Sequence, residues 1–286
     1  MKRKMLLLAL CLGLALAATS CSDDRMAAGK AVKAAPASMV DKLSLPQLLS
    51  QLERQRFTRD TWAQLLSQEP LAVTDTLITS FFDYYDERPD ELAYLPEFAQ
   101  NHPPNWDELT LYTFLVIDSF GEEPIATWPK QFTSEQFRRT IQRFLGDVSY
   151  IDQPSDFFEY QDGIYTVMGF DTLGTTFFRL KAIERHEENV YQAKFDCLYI
   201  DESDFGAYYN MEEEPTHNMR VIMEFADRLG KGVDIERSLA QIFLRDDYDQ
   251  LLELNGEITI RFSLSGDDQL PFAYHACTRT YPNPYY

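Results

Sequence analysis

The chain has four histidines, His102, His186, His217 and His275, scattered along its length. His186-Glu187 lacks the His four positions later that a zinc-protease helix requires. Asp246, Asp247 and Asp249 have part of the spacing of a calcium loop, but Leu252 stands where an EF-hand needs its turn glycine. The densest acidic stretch is Asp201, Glu202 and Asp204, with Glu212, Glu213 and Glu214 nearby. It reads as a solvated loop between strands with no cofactor, and a bound Ca²⁺ is the alternative. Tyr208 and Tyr209 lie inside this stretch, and Tyr281, Tyr285 and Tyr286 gather at a Pro-broken end. Tyrosine favours interfaces, so Tyr208 and Tyr209, with Asp201 and Asp204, are the candidate contacts for a ligand or partner. His217 and His275 read as structural.

Nucleophiles give less. There is no Gly-x-Ser-x-Gly elbow, and Ser265 sits in a turn rather than between a strand and a helix. Gly163, Gly169 and Gly174 serve turns and build no phosphate-cradling loop. Cys197 and Cys277 lie in strand-like apolar segments, which suits packing rather than a reactive thiolate. In an oxidising compartment a Cys197–Cys277 disulfide between neighbouring strands is one expectation, and two buried thiols the other. With 46 acidic residues, a carboxylate pair of the glycosidase kind is open, but its separation is a tertiary property and no pair can be named.

The elements that would carry these groups divide into two halves. Leu45, Leu48, Leu49 and Leu52 follow helical spacing, as do Leu77, Ile78, Phe81, Tyr84 and Tyr85. Asp60 is placed to cap a short helix carrying Trp62, Leu65 and Leu66. Leu109 to Ile117 is apolar on every side, and its length favours a buried helix. Thr133 and Gln136 make a capping box, with Phe132 and Phe137 as its hydrophobic staple. After Gly146 the period becomes two. Phe157–Tyr160, Asp162-Gly163 and Ile164–Met168 spell a hairpin with a type I′ turn. Strands are expected at 176–185, 190–200, 219–225, 257–264 and 271–278, with one helix carrying Ile235 to Phe243 behind an Asp234 cap. This order predicts an α+β fold: an N-terminal helical region at 44–146, then a curved antiparallel β-sheet with one helical insertion at 147–286. Tyr160, Asp162, Gly163 and Tyr165 resemble the Tyr-Asp-Gly-x-Tyr meanders of small secreted bacterial domains with NTF2-like or cystatin-like sheets. That resemblance implies a sheet and no activity.

Lys2, Arg3 and Lys4 precede an apolar run from Met5 to Ala18, which has the layout of a signal peptide over 1–20. The run is shorter than the roughly 20 residues that span a bilayer. Ala18-Thr19-Ser20-Cys21 resembles the lipobox of bacterial lipoproteins, with Ala18 where Leu or Val is more usual. The resemblance implies lipidation of Cys21 by two acyl chains such as palmitate, enough for stable anchoring. Ser22 in this place is compatible with release to the outer membrane, and Asp23-Asp24 resembles a sorting signal for the cell surface. Residues 21–43, rich in Ala, read as a linker.

Charge narrows the partners. The chain holds 26 basic and 46 acidic residues, a net charge of −20. Loss of three basic residues with the signal would deepen this to −23. Nucleic acid is excluded as a partner by repulsion, so the membrane is reached through the lipid alone. The expected function is a lipid-anchored envelope protein acting as a non-catalytic binding or interaction module for a protein. Surface glycan binding is the first alternative, and a hydrolase with a carboxylate pair the second.

Overall fold

The computed structural model describes residues 58–120, 130–169, 174–201, 214–230, 234–267 and 270–280. The signal peptide, Cys21, the linker, the helix expected at Leu45, and Asp204, Tyr208, Tyr209, Tyr281, Tyr285 and Tyr286 lie outside them.

Each early helix starts at a side-chain cap. Helix α1 (Arg59–Leu66) is capped by Thr58, whose hydroxyl accepts from the Thr61 amide, two residues before the expected Asp60. Asp60 sits instead in the first turn, where its charge faces the positive helix end. Thr74 caps α2 (Asp75–Asp86), and α3 (Pro89–Ala93) opens on the proline that cannot continue α2. Helix α4 (Trp106–Phe120) is capped by Asn105, whose side-chain oxygen accepts from Asp107 and Glu108 amides. It buries Leu109, Leu111, Tyr112 and Phe114 to Ile117, as its all-round apolar character requires.

Strand β1 (Gln131–Thr133) leads into α5 (Ser134–Leu145) through the capping box, with Thr133 and Gln136 each bonded to the other's backbone amide. The Phe132 and Phe137 rings stack with centroids 5.8 Å apart, closing the staple. Strands β2 (Phe158–Gln161) and β3 (Ile164–Val167) form the expected hairpin, and Asp162 and Gly163 both take positive φ, 51° and 82°. A type I′ turn demands this pair of angles. The small sheet has the order β1-β3-β2.

The main sheet is antiparallel, in the order β4 (Gly174–Glu187), β5 (Val190–Asp201), β6 (Gly256–Leu264) and β7 (Phe272–Arg279). Together with the helices it makes the fold α+β. Between β5 and β6 the chain inserts α6 (His217–Leu229), α7 (Ile235–Phe243) and the one-turn α8 (Tyr248–Leu251). Residues 219–225, expected as a strand, belong to α6. Met219, Val221, Met223 and Phe225 alternate, but the buried side chains are Met219, Ile222 and Ala226, a helical stripe. Two periods fit the segment, and packing on the sheet chooses the helical one.

One face of the sheet, bearing Phe178, Leu180, Phe195, Cys197, Ile258, Ile260, Phe262 and Tyr274, shares a core with α1 to α5. The helical and strand halves of the sequence therefore fold around the same interior. On the other face Phe177, Leu198 and Ile200 pack under α6 and α7, with Phe82 of α2 joining them. This second cluster covers only the part of the face nearest the end of β5. Arg179 fastens the insertion by donating to the Phe243 carbonyl at 3.1 Å while its guanidinium stacks 3.9 Å from the Tyr248 ring centre.

Cys197 and Cys277 are both free and buried, which corrects the disulfide expectation. They sit on β5 and β7 with β6 between them, not on neighbouring strands. Two strand spacings place their backbones about 9–10 Å apart or more, beyond the roughly 7 Å limit for a bridge.

Candidate binding face

The uncovered half of the outer sheet face is built by alternation. In β6, Ile258, Ile260 and Phe262 enter the core, so Glu257, Thr259, Arg261 and Ser263 must face outward. Register then sets the rows. Arg179 and Asp196 align with Glu257; Ala182 and Lys194 with Thr259 and Thr278; Glu184 and Gln192 with Arg261 and Ala276; Val190 with Ser263 and Ala273. A shallow depression of about 160 Å³ is lined by Ala182, Ile183, Glu184, Gln192, Lys194 and Thr259.

Below the depression lies a closed lattice of charge. Lys181, at a bulge in β4, donates to Asp196 at 3.1 Å and Glu257 at 2.7 Å, and Lys194 also reaches Glu257 at 2.7 Å. The two ammonium groups hold the Glu257 carboxyl below its ordinary range. Asp196 is buried and accepts a second bond, from the Tyr248 hydroxyl. Burial, and then that bond to a carboxylate, pushes Tyr248 up to about 12. Every charge in this lattice is matched.

Above it the matching stops. Arg261 makes no side-chain hydrogen bond or ion pair with any described residue, and its Nε is buried without a partner. Opposite it a second bulge leaves His275 as an extra residue, because Arg261 pairs with Ala276 while Phe262 pairs with Tyr274. The bulge aims the His275 ring along the face, where Nε2 lies 2.9 Å from the Ser263 hydroxyl. Partial burial, and next the positive charge of Arg261, holds His275 below its ordinary value, with Glu187 opposing. It is therefore neutral at neutral pH.

A second polar cluster lies inside. Glu91 of α3 is fully buried. Its carboxylate accepts from Tyr84 at 2.9 and 2.7 Å and from Tyr274 at 2.7 Å, and Tyr85 contacts Tyr274 at 3.3 Å. No cation of the described residues comes within ion-pair distance. Burial raises its proton affinity, opposed by the Tyr274 and Tyr84 bonds and then by the charges of Arg88 and Arg143. Fully buried, this carboxylate organises the core.

Of the residues singled out from sequence, Asp201 ends β5, paired with Gly174 across the edge of the sheet and away from the open rows. Asp247 is held by Arg245 through two 2.7 Å bonds. His217 bonds the Leu251 carbonyl at 3.0 Å. No group of three or more metal-ligating side chains converges among the described residues, and no helix among them is long and apolar enough to cross a membrane. Arg261 and Ser263 were not singled out, and His275 was read as structural. The outward alternation of β6 carries a signal for the first two, but the bulge that brings in His275 has none. Comparison with protein-family models, curated proteins and solved structures finds no match.

Proposed function

We propose that the chain is an outer-membrane lipoprotein, lipidated at Cys21 and facing the cell surface, that works as a non-catalytic binding module through the open half of its main sheet. The observation that supports this reading is the asymmetry of the sheet. One face is sealed by core and part of the other by α6 and α7, which leaves a polar strip with a shallow depression at Thr259 and Gln192. Flat polar surfaces of this kind suit a protein or glycan partner rather than a deeply enclosed small molecule.

Two measurements test it. A clickable fatty-acid analogue should label the wild type and not Cys21→Ser, and label retained by the variant would remove the anchor. A photo-crosslinker placed at Thr259 in whole cells should give one adduct of defined mass, while the same group at Asp60, on α1, gives none. Release of a glycan on digesting that adduct would select surface glycan binding over protein binding. Equal or absent adducts at both positions would dismiss this face as the contact surface.

A further inference from the structure

Arg261 is the least expected charge on this surface. In a chain with 46 acidic and 26 basic residues, carboxylates are abundant, and the neighbouring Lys181 and Lys194 each hold one at 2.7 Å. Arg261 holds none, although it is half-buried and its Nε is removed from water. Only Nε is closed off, so the terminal nitrogens of the guanidinium keep unused donors for an incoming oxyanion. Its fork matches carboxylate or phosphate oxygens two at a time.

The surroundings leave room for such a group. Beside Arg261 and Ser263 on β7 stand Ala276 and Ala273, which project little over the strand. Along β6 the neighbours are the hydroxyls of Thr259 and Ser263, and across on β5 is the Gln192 amide, already donating to Glu184 at 3.1 Å. His275 offers a ring nitrogen to Ser263, so the hydroxyl can turn its proton outward when the imidazole donates to it. The opposing charges are Glu184 and Glu187 of β4. Glu184 is engaged by Gln192, and the exposed Glu187 lies beside His186 at 3.9 Å.

We infer that Arg261, Ser263 and His275 form a subsite for an oxyanion, the carboxylate or phosphate group of the ligand that occupies this face. Arg261 supplies the charge and the paired donors, Ser263 a third donor, and His275 orients Ser263 and gains a proton as the anion settles. This deepens the proposed binding role and rests on that reading of the face.

The test is a titration of the full-length protein at constant ionic strength, with inorganic phosphate in one arm and glucuronate in the other, following the His275 ring by NMR. At least one probe should shift the ring saturably and raise the pH at which it titrates; the stronger probe names the anion. Arg261→Gln should weaken that response roughly ten-fold or more at an unchanged thermal midpoint. Ser263→Ala, which removes no charge, serves as the second variant and should weaken it by a smaller factor. Exposed Arg220→Gln on α6 should leave it intact. No saturable shift in either arm, or a shift that persists unchanged in Arg261→Gln and Ser263→Ala, overturns the subsite. The Thr259 crosslink read in Arg261→Gln separates the two claims: an adduct without anion binding retains the face and removes the subsite.

Discussion

Tyr274 and His275 are consecutive residues of one strand, yet they belong to opposite chemical regimes. Tyr274 points inward, where its hydroxyl donates to a carboxylate sealed from water. His275, displaced by the bulge, lies on the outer face with its ring against Ser263. Inside, one unpaired anion is held by neutral donors. Outside, the Arg261 cation stands beside neutral hydroxyl, amide and methyl groups, with the Glu184 carboxylate of its row engaged by Gln192. The inner arrangement contributes to the fold because every bond is already made when the chain closes. The outer one leaves bonding capacity unused, which is the property a binding surface needs.

The sharpest break in this comparison is Glu91→Ala, which strands the Tyr84 and Tyr274 hydroxyls and opens a cavity. We expect a loss on the order of 3–4 kcal/mol in chemical denaturation. Tyr274→Phe removes a single donor to that carboxylate and should cost about 1.5–3 kcal/mol. On the outer face Ser263→Ala and Thr259→Ala should stay within about 0.5 kcal/mol. If they matched the inner variants, the open strip would be structural and the contrast would vanish.

Proton linkage gives the two faces opposite slopes. Burial raises Glu91 above its ordinary 4.5, so the folded state holds a proton that the unfolded chain has released. Its contribution is complete below 4.5 and lost as pH rises through the folded value. His275 is lowered from 6.5, so its contribution is present above 6.5 and lost as pH falls through the folded value. Melting curves between pH 4 and 8 should therefore lose the alkaline decline in Glu91→Gln and part of the acid decline in His275→Asn. Parallel curves for wild type and variants would contradict both assignments.

The smallest effect concerns the thiols. Burial pushes Cys277 up to about 12 and raises Cys197 as well, so neither should react in the native protein. In denaturant without reductant, peptide mass mapping should find both alkylated. A linked Cys197–Cys277 peptide would require a different strand order.

Local chemistry explains which of these features could be read along the chain. The Thr133–Gln136 box and the Asp162-Gly163 turn involve neighbours within four residues, so their geometry follows from residue type. Residues 219–225 carry two compatible periods, and the choice of helix depends on the β5 surface beneath. The disulfide expectation failed for a related reason: that Cys197 and Cys277 share a face is legible, but that β6 runs between them is not. Tyr208, Tyr209 and Asp204 drew notice as types, and Asp201 with them. Arg261 and Ser263 did not, and His275 read as structural, because their association depends on a one-residue slip in pairing.

By itself, the sequence determined the α+β order, the Thr133 and Asp234 caps, the hairpin and the alternation that turns Glu257, Thr259, Arg261 and Ser263 to one side. These depend on interactions within a turn or along a strand, where distance in sequence is distance in space. The tertiary structure alone decided that Glu91 is sealed among tyrosines from α2 and β7, that the insertion covers only part of the sheet, and that Arg261 finds no carboxylate. Those outcomes depend on which distant segments meet, and burial and charge pairing exist only after they have met.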